Sequence, residues 1–125
     1  MKQTVLAPIS IGELYDKITI LQVKLHFFED EEAMKYLWDE FQQLQKLAVF
    51  NIPQILVSQL FNINFSLWEV EDKLRILESK EDFGREFVEL ARKVYMLNDA
   101  RAAAKKSINL EYGSEIIEQK QYAAY

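Results

Sequence analysis

The chain has 125 residues, no cysteine, and a net charge of −5 from 15 basic and 20 acidic side chains. This length suits one domain with one core. The lack of cysteine excludes disulfides, thiolate nucleophiles and cysteine-based zinc sites, and an acidic chain without a basic stripe argues against nucleic-acid partners. With only 3 glycines and 2 prolines, the chain lacks the turn residues of an all-β domain, which favours helices.

The first predicted helix begins after Ser10. Ser10 and Glu13 have the spacing of a capping box, in which each side chain bonds a free backbone N–H of the other's residue. Apolar side chains then recur at spacings of three and four residues, which is typical of an amphipathic helix. This stripe comprises Ile11, Leu14, Ile18, Leu21, Leu25 and Phe28.

Two more helices are predicted after short breaks in the apolar pattern. The acidic residues 29–32 suit a turn and the start of a helix, where the helix dipole favours negative charge. We predict the second helix over residues 31–49. The third is predicted from Pro53, a residue well tolerated at a helix start, to about Ser79. Asn62 and Asn64 inside it are poor helix formers and mark a kink or a split into two helices.

The fourth predicted helix follows Asp82, which has the right chemistry for an N-cap. It runs from Phe83 to about Leu110, and Gly113 suits its C-terminal stop. Ser114 is a candidate cap for a last short helix over residues 115–121, and the alternative is that the end of the chain forms a tail.

Four amphipathic segments joined by short turns predict an all-α fold, an antiparallel four-helix bundle forming a single domain over residues 1–125. Matching hairpin partners by residue number places Asp16 level with Lys105 and leaves helices three and four longer than helices one and two. Their overhanging tip carries four apolar residues without partners: Leu74, Leu77, Phe83 and Phe87. Because such a cluster usually marks an interaction surface, we expect a homodimer, or a contact with another protein, through this tip.

Polar residues interrupt the apolar stripe of the fourth helix. Arg101 occupies a stripe position, with Asn98 beside it and Lys105 on a flanking position. Arginine does not lose its charge, so at a core position it needs an acidic partner, and the register offers Asp16 and Glu40. We interpret this layer as ion pairs that fix the register of the helices; the alternative is a small anion site between helices.

A magnesium site is another possibility raised by the acidic residues. All-α nucleotide pyrophosphohydrolases hold magnesium with Glu-x-x-Glu/Asp pairs on facing helices. Three pairs here have this spacing: Glu86-x-x-Glu89, Glu115-x-x-Glu118 and Glu13-x-x-Asp16. The register puts the first two at opposite ends of the fourth helix, and the only histidine, His26, has no second histidine or cysteine to share a metal. We therefore expect no metal and no other cofactor.

No stretch of the chain predicts membrane insertion. The most apolar stretch, residues 47–60, is interrupted by polar residues and a proline, whereas a span needs about 20 apolar residues. The first eight residues lack the apolar core of a signal peptide. We expect a cytoplasmic protein.

Several segments together form a distinctive pattern. They are Pro8–Leu14 with Asp16–Leu21, Leu67–Glu69 with Glu71 and Asp72, Asn98–Ala102, and Gly113-Ser114 followed by Glu118, Lys120 and Tyr122. In this pattern the chain resembles a family of small uncharacterised proteins of bacteria and their viruses, over nearly its whole length. The resemblance implies no assigned activity, but some relatives occur near or within sugar-transfer and envelope-polysaccharide proteins.

The resemblance also points to candidate ligand-binding residues. They are Asp16, Lys17, Asn98, Asp99, Arg101 and Lys105, with Ser114, Lys120 and Tyr122 near the end of the chain. The sequence favours a non-enzymatic interaction or assembly module that self-associates through the tip. The alternative is small-ligand binding, or an accessory enzyme role, in bacterial envelope carbohydrate metabolism, and the third possibility is a magnesium-dependent nucleotide hydrolase.

Overall fold

The computed structural model describes residues 2–125, and this part of the chain contains four helices and no strand. The helices are α1 (Ile11–Phe27), α2 (Glu31–Gln45), α3 (Gln54–Ser79) and α4 (Arg85–Glu111). As predicted, α3 and α4, with 26 and 27 residues, are longer than α1 and α2, with 17 and 15. None of the helices in residues 2–125 is long and apolar enough to cross a bilayer.

Four local predictions differ from the structure. α3 is one helix through Asn62 and Asn64, not two. α2 ends at Gln45 instead of Val49, because the chain tightens into a turn there. The N-cap of α4 is Gly84, not Asp82, whose carboxylate instead accepts a hydrogen bond from the Gly84 N–H at 3.2 Å.

The predicted last helix over residues 115–121 is also wrong, since these residues form no regular secondary structure. Ser114 does not cap a helix. Its hydroxyl accepts a hydrogen bond from the backbone N–H of Ile11 at 3.1 Å and donates to the carbonyl of Ile116 at 2.6 Å. The end of the chain is thereby tied to the start of α1.

The start of α1 shows half of the predicted capping box. The Ser10 hydroxyl accepts a hydrogen bond from the Glu13 N–H at 3.0 Å. The Glu13 carboxylate pairs with Lys105 and Lys17 instead of bonding back to Ser10. An acidic side chain in the first turn of α1 thus forms an ion pair with a lysine of α4.

α1 is the central helix of the fold. It contacts each of the other three helices, α3 also contacts α4, and α2 contacts α1 alone. This arrangement explains the distribution of burial, because α1 buries eight residues whereas α2 buries none.

The apolar core surrounds the first half of α1. Its fully buried members are Leu14, Tyr15 and Ile18 of α1, Leu60 of α3 and Ile108 of α4. The predicted stripe residues Phe41 and Leu44 of α2 pack against them while staying partly exposed. Burying each large apolar side chain contributes about 1.5–3 kcal/mol, so this cluster fixes how α1 sits against α3 and α4.

Gly12 allows α1 and α4 to approach closely. A β-carbon at this position would lie 2.5 Å from the backbone oxygen of Lys105, a distance that no side chain can adopt. The Gly12 N–H donates to the buried Asn109 side chain, N to Oδ1 2.7 Å. This contact places the start of α1 against the last turns of α4, one turn away from the charged layer around Asp16.

Candidate functional site

Asp16 is the centre of a buried polar layer between α1, α3 and α4. Its side chain is completely buried. The carboxylate accepts hydrogen bonds from Arg101, whose Nε lies 2.9 Å from Oδ1 and whose Nη2 bonds Oδ2, and from Asn64 Nδ2 at 2.9 Å. The Thr19 hydroxyl accepts a hydrogen bond from the same amide group of Asn64 at 3.0 Å. These bonds offset the large cost of removing a carboxylate from water.

Lys105 is the second cation of this layer, and its side chain is 8% exposed. Its ammonium donates to Glu13 and, at 3.0 Å, to Glu118 Oε2, and it lies 3.8 Å from Asp16 Oδ2. Burial by itself lowers the pKa of Lys105, but the hydrogen bonds to Glu13 and Glu118 outweigh it and the pKa is raised. Lys105 is therefore charged throughout the physiological range and joins three carboxylates from two parts of the chain.

Glu118 brings the end of the chain into the same network. The hydrogen bond from Lys105 lowers the pKa of the Glu118 carboxyl, and Lys120, 3.3 Å away, acts in the same direction. The Glu118 side chain is 42% exposed, so this ion pair is worth no more than about 1 kcal/mol. The tail is thus held by weak contacts.

Arg101 faces both the buried layer and the solvent. The hydrogen bonds to Asp16 raise its pKa, and its side chain is 28% exposed. A guanidinium has more N–H donors than one carboxylate engages. Since every fully buried side-chain nitrogen and oxygen in residues 2–125 has a partner, the remaining Arg101 donors are accessible to solvent.

Arg101 borders a cleft of about 440 Å³ between α1, α3 and α4. One face of α3 forms most of its wall, α1 supplies two apolar side chains, and α4 supplies Asn98 and Arg101. The lining residues are Ile20, Val23, Asn64, Leu67, Trp68, Glu71, Asp72, Arg75, Asn98 and Arg101. The volume lies within the range of roughly 300–1,000 Å³ typical of small-molecule sites.

The walls of the cleft are close to electrically balanced. Glu71 and Asp72 on α3 contribute two negative charges, and Arg75 and Arg101 contribute two positive ones. Glu71 Oε2 and Arg75 Nη2 are 3.8 Å apart at the exposed rim. Trp68 adds an aromatic ring that is half-buried and stacked on Phe27 at 5.5 Å. The cleft therefore offers hydrogen-bond donors and acceptors beside an aromatic side chain.

The tail, residues 114–125, runs back along α4. After the Glu118 contact, the Tyr125 hydroxyl donates to Asp99 and its ring meets Tyr95 edge-on at 5.1 Å. A second hollow of about 970 Å³ lies between the tail and α4, and Asn98 lines both this hollow and the cleft. The sequence did not predict this path of the tail.

The structure brings together some of the predicted site residues and separates others. Asp16, Arg101 and Lys105 form one network, as the predicted register required, and Asp16 rather than Glu40 is the partner of Arg101. The other three of these six lie outside the layer: Asn98 lines the cleft, Lys17 is exposed and 3.6 Å from Glu13, and Asp99 is exposed beside the tail.

Sequence reasoning missed two buried amide side chains, Asn64 in the layer and Asn109 one turn away from it. Asn64 was interpreted as a helix-weakening residue, but it follows the apolar Leu60 by one turn and thus shares its buried face. Asn109 follows the core residue Ile108 and meets the backbone of Gly12. In both cases the useful signal was an amide side chain on an apolar helix face.

No group of three or more histidine or acidic residues in residues 2–125 is arranged to hold a metal ion. Two of the acidic pairs considered above are each in contact with basic side chains: Glu13 and Asp16 with Lys105, and Glu118 with Lys105 and Lys120. The magnesium alternative therefore gains no support from the geometry.

The fold and the site define a small all-helical protein with a buried charged layer beneath an open cleft. The chain belongs to DUF6165, a family of unknown function whose model matches residues 5–125. No curated protein and no solved structure matches it.

Proposed function

We propose that the protein binds a small polar ligand in the cleft between α1, α3 and α4. The observation that carries this proposal is Arg101, which is fixed by the buried Asp16 carboxylate while donors remain accessible at the cleft. A donor held in place before the ligand arrives loses little conformational entropy on binding. The charged layer thus has a structural role and also orients the arginine.

The composition of the cleft supports an uncharged or zwitterionic ligand rich in hydroxyl groups. Two carboxylates and two guanidiniums leave the walls without a net charge to attract a strong anion. Trp68 supplies a surface on which the C–H face of a sugar ring stacks, and carboxylate, amide and guanidinium groups bond hydroxyls from the side. Such a ligand fits the alternative of a role in bacterial envelope carbohydrate metabolism, for which some relatives occur near or within sugar-transfer proteins. An accessory enzyme role there, and an origin in bacteria or their viruses, remain part of the proposal.

The first experiment is a thermal-shift screen with monosaccharides, disaccharides, their phosphorylated forms and, as a contrast, simple dicarboxylates. A ligand at one hundred times its Kd stabilises a protein by about 2.7 kcal/mol, which raises the Tm by several degrees. We expect the shift with neutral sugars to be lost in Asn98→Ala and Arg75→Met, which alter the cleft outside the buried layer. Arg92→Met is the control, because Arg92 is exposed on α4 and does not line the cleft.

Arg101→Met and Lys105→Met test the role of the layer itself. If Arg101→Met folds and loses the thermal shift, the arginine holds the ligand. If both variants simply melt and Asn98→Ala binds like the unmodified protein, the layer is structural and the cleft is not the binding site.

A second proposal, self-association through the α3/α4 tip, is favoured by one specific observation. Phe83 at the tip is 53% exposed and nearby Val88 is 51% exposed, while the predicted interface residues Leu74, Leu77 and Phe87 are only half-buried. Covering such a patch with a second copy would gain apolar burial. In this proposal the protein is a homodimer or assembly module, and it acts in the cytoplasm.

Light scattering tests the second proposal. The expected result is a dimer that Leu77→Glu and Phe87→Glu convert to a monomer. Leu110→Glu is the matched control, since Leu110 is 61% exposed at the other end of α4. A monomer at all concentrations, with both variants unchanged in mass, would remove the proposal.

We also propose that neighbouring helices of the bundle run antiparallel. Two contacts between α1 and α4 support it: Gly12 meets Asn109, and Asp16, one turn further along α1, meets Arg101, two turns back along α4. Residue numbers that rise on one helix and fall on the other are typical of antiparallel neighbours.

A further inference from the structure

We infer that the tail is a releasable strap whose attachment is linked to the state of the cleft through Asp16. The inference rests on the proposed function, because it concerns how a ligand bound in the cleft affects the attachment of the tail. The physical basis is that one buried carboxylate serves two cations, one facing the cleft and one holding the tail.

The shared carboxylate is the first step. Asp16 Oδ2 accepts from Arg101, which borders the cleft, and lies 3.8 Å from the ammonium of Lys105. These are the two cations within ion-pair distance of Asp16 in residues 2–125. Because Asp16 is completely buried, its charge cannot be compensated by water.

The second step is competition for Lys105. Its ammonium is shared between Glu13 of α1 and Glu118 of the tail, with Asp16 just beyond hydrogen-bond distance. When a ligand accepts hydrogen bonds from the other donors of Arg101, the positive charge of the guanidinium is shared and its ion pair with Asp16 weakens. Lys105 is then the cation that can move closer to the buried carboxylate. Glu118 then loses its partner, and the tail loses its contact nearest to the layer.

The third step is that little else holds the tail. Ser114 ties the start of the tail to Ile11 and Asn109. Beyond it, the polar side-chain contacts of residues 115–125 with the helices in the described structure are the Glu118–Lys105 ion pair and the Tyr125–Asp99 hydrogen bond, and both tail side chains are exposed. Asn98 lines both the cleft and the hollow beside the tail, so the two spaces are neighbours on α4. Linkage is reciprocal, so a detached tail should in turn loosen Arg101 from Asp16.

The heteronuclear ¹⁵N NOE of residues 115–125 tests the linkage without any ligand, because it reports the mobility of the tail. We expect this NOE to fall in Arg101→Met, because Lys105 turns to Asp16. In the double variant Arg101→Met/Asp16→Asn the buried charge is gone, so the NOE should return to that of the unmodified protein, whereas general damage would add up. Arg92→Met is the control for removing an arginine from α4.

A second experiment starts from the tail and measures the effect on Arg101, so the linkage can still be tested if Arg101→Met does not fold. Glu118→Gln changes an exposed tail residue, and solvent exchange of the Arg101 Nε–H, followed by NMR, reports the hydrogen bond to Asp16. We expect this exchange to accelerate several-fold in Glu118→Gln and to stay unchanged in Glu115→Gln, an exposed tail residue outside the network.

An unchanged exchange rate of the Arg101 Nε–H in Glu118→Gln, or a double variant whose tail is as mobile as in Arg101→Met, would overturn the linkage. Neither result bears on whether the cleft binds a ligand, which the thermal-shift screen decides separately.

Discussion

At the scale of single residues, Gly12 shows how the lack of a side chain lets two helices approach closely enough to form the site. In most helices Gly→Ala stabilises by about 1 kcal/mol, because alanine has the higher helix propensity. Here the added methyl would press on the backbone oxygen of Lys105, which cannot rotate away. The contact between α1 and α4 would have to widen, and with it the spacing of Asp16 and Lys105.

We therefore expect Gly12→Ala to lower the free energy of unfolding by about 1–3 kcal/mol, the usual cost of overpacking. Urea denaturation followed by circular dichroism measures it. Gly84→Ser is the control, because a β-carbon there would meet only the Asp82 side chain, and serine is a good N-cap residue. A Gly12→Ala variant as stable as the parent would mean that the two helices do not touch at this point.

Glu118 provides a prediction about pH at the same scale. Its pKa is lowered in the folded protein, by Lys105 foremost and also by Lys120, although Glu13 and Asp16 add negative charge to the same layer. A carboxyl with a lowered pKa stabilises the folded arrangement above its unfolded pKa, and this contribution is lost as the pH falls through the folded pKa.

The tail should consequently be closed at neutral pH and loosen in acid, below the usual titration range of glutamic acid. ¹⁵N relaxation of residues 115–125 measures this loosening. In Glu118→Gln the tail should already be mobile at neutral pH, with no further change on acidification. A tail whose mobility is independent of pH in the parent protein would contradict the assigned ion pair.

At the scale of elements, the sequence predicts where the helices lie more closely than it predicts how they pack. Apolar spacing and caps predicted all four helices, and Ser10 and Asp30 cap α1 and α2 as their chemistry requires. The central position of α1 was not predicted, because periodicity shows that a helix has an apolar face but not how many neighbours it has. The tail was missed for a related reason: its course depends on Lys105 and Asp99, which are distant in the fold rather than in the local sequence.

The turn between α3 and α4 allows an element-scale prediction. Glu81 has a φ of 53°, in the left-handed region, and the N–H of Asp82 bonds the carbonyl of Leu77 at 2.9 Å, as in a Schellman motif. Left-handed backbone costs a residue with a side chain about 1–2 kcal/mol, and glycine avoids most of this cost.

Glu81→Gly should therefore raise the free energy of unfolding by about 0.5–1 kcal/mol, after allowing for the greater entropy of glycine in the unfolded chain. Glu78→Gly, inside the last turn of α3, should lower it by a similar amount. Thermal and urea denaturation compare the two variants. If both destabilise equally, the turn does not have this conformation.

At the scale of the whole molecule, a buried charged layer lies beneath an open, nearly neutral cleft. The hairpin register predicted Asp16 level with Lys105 and offered Asp16 or Glu40 as the partner of Arg101, and the structure has Asp16. The cleft could not be predicted, since the sequence shows which helix faces are apolar but not how much space remains between α1, α3 and α4. Trp68, Glu71 and Asp72 belong to the family pattern, but their spacing does not distinguish a cleft wall from a solvent-facing rim.

The two tryptophans allow the most direct test of ligand binding in this cleft. Trp68 lines it, whereas Trp38 lies on α2, 51% exposed and stacked on Phe41. In an NMR titration with the sugar that gives the largest thermal shift, the indole N–H signal of Trp68 should move to saturation while that of Trp38 stays in place. Movement of the Trp38 signal with a stationary Trp68 signal, or movement of neither at saturating sugar, would contradict the account.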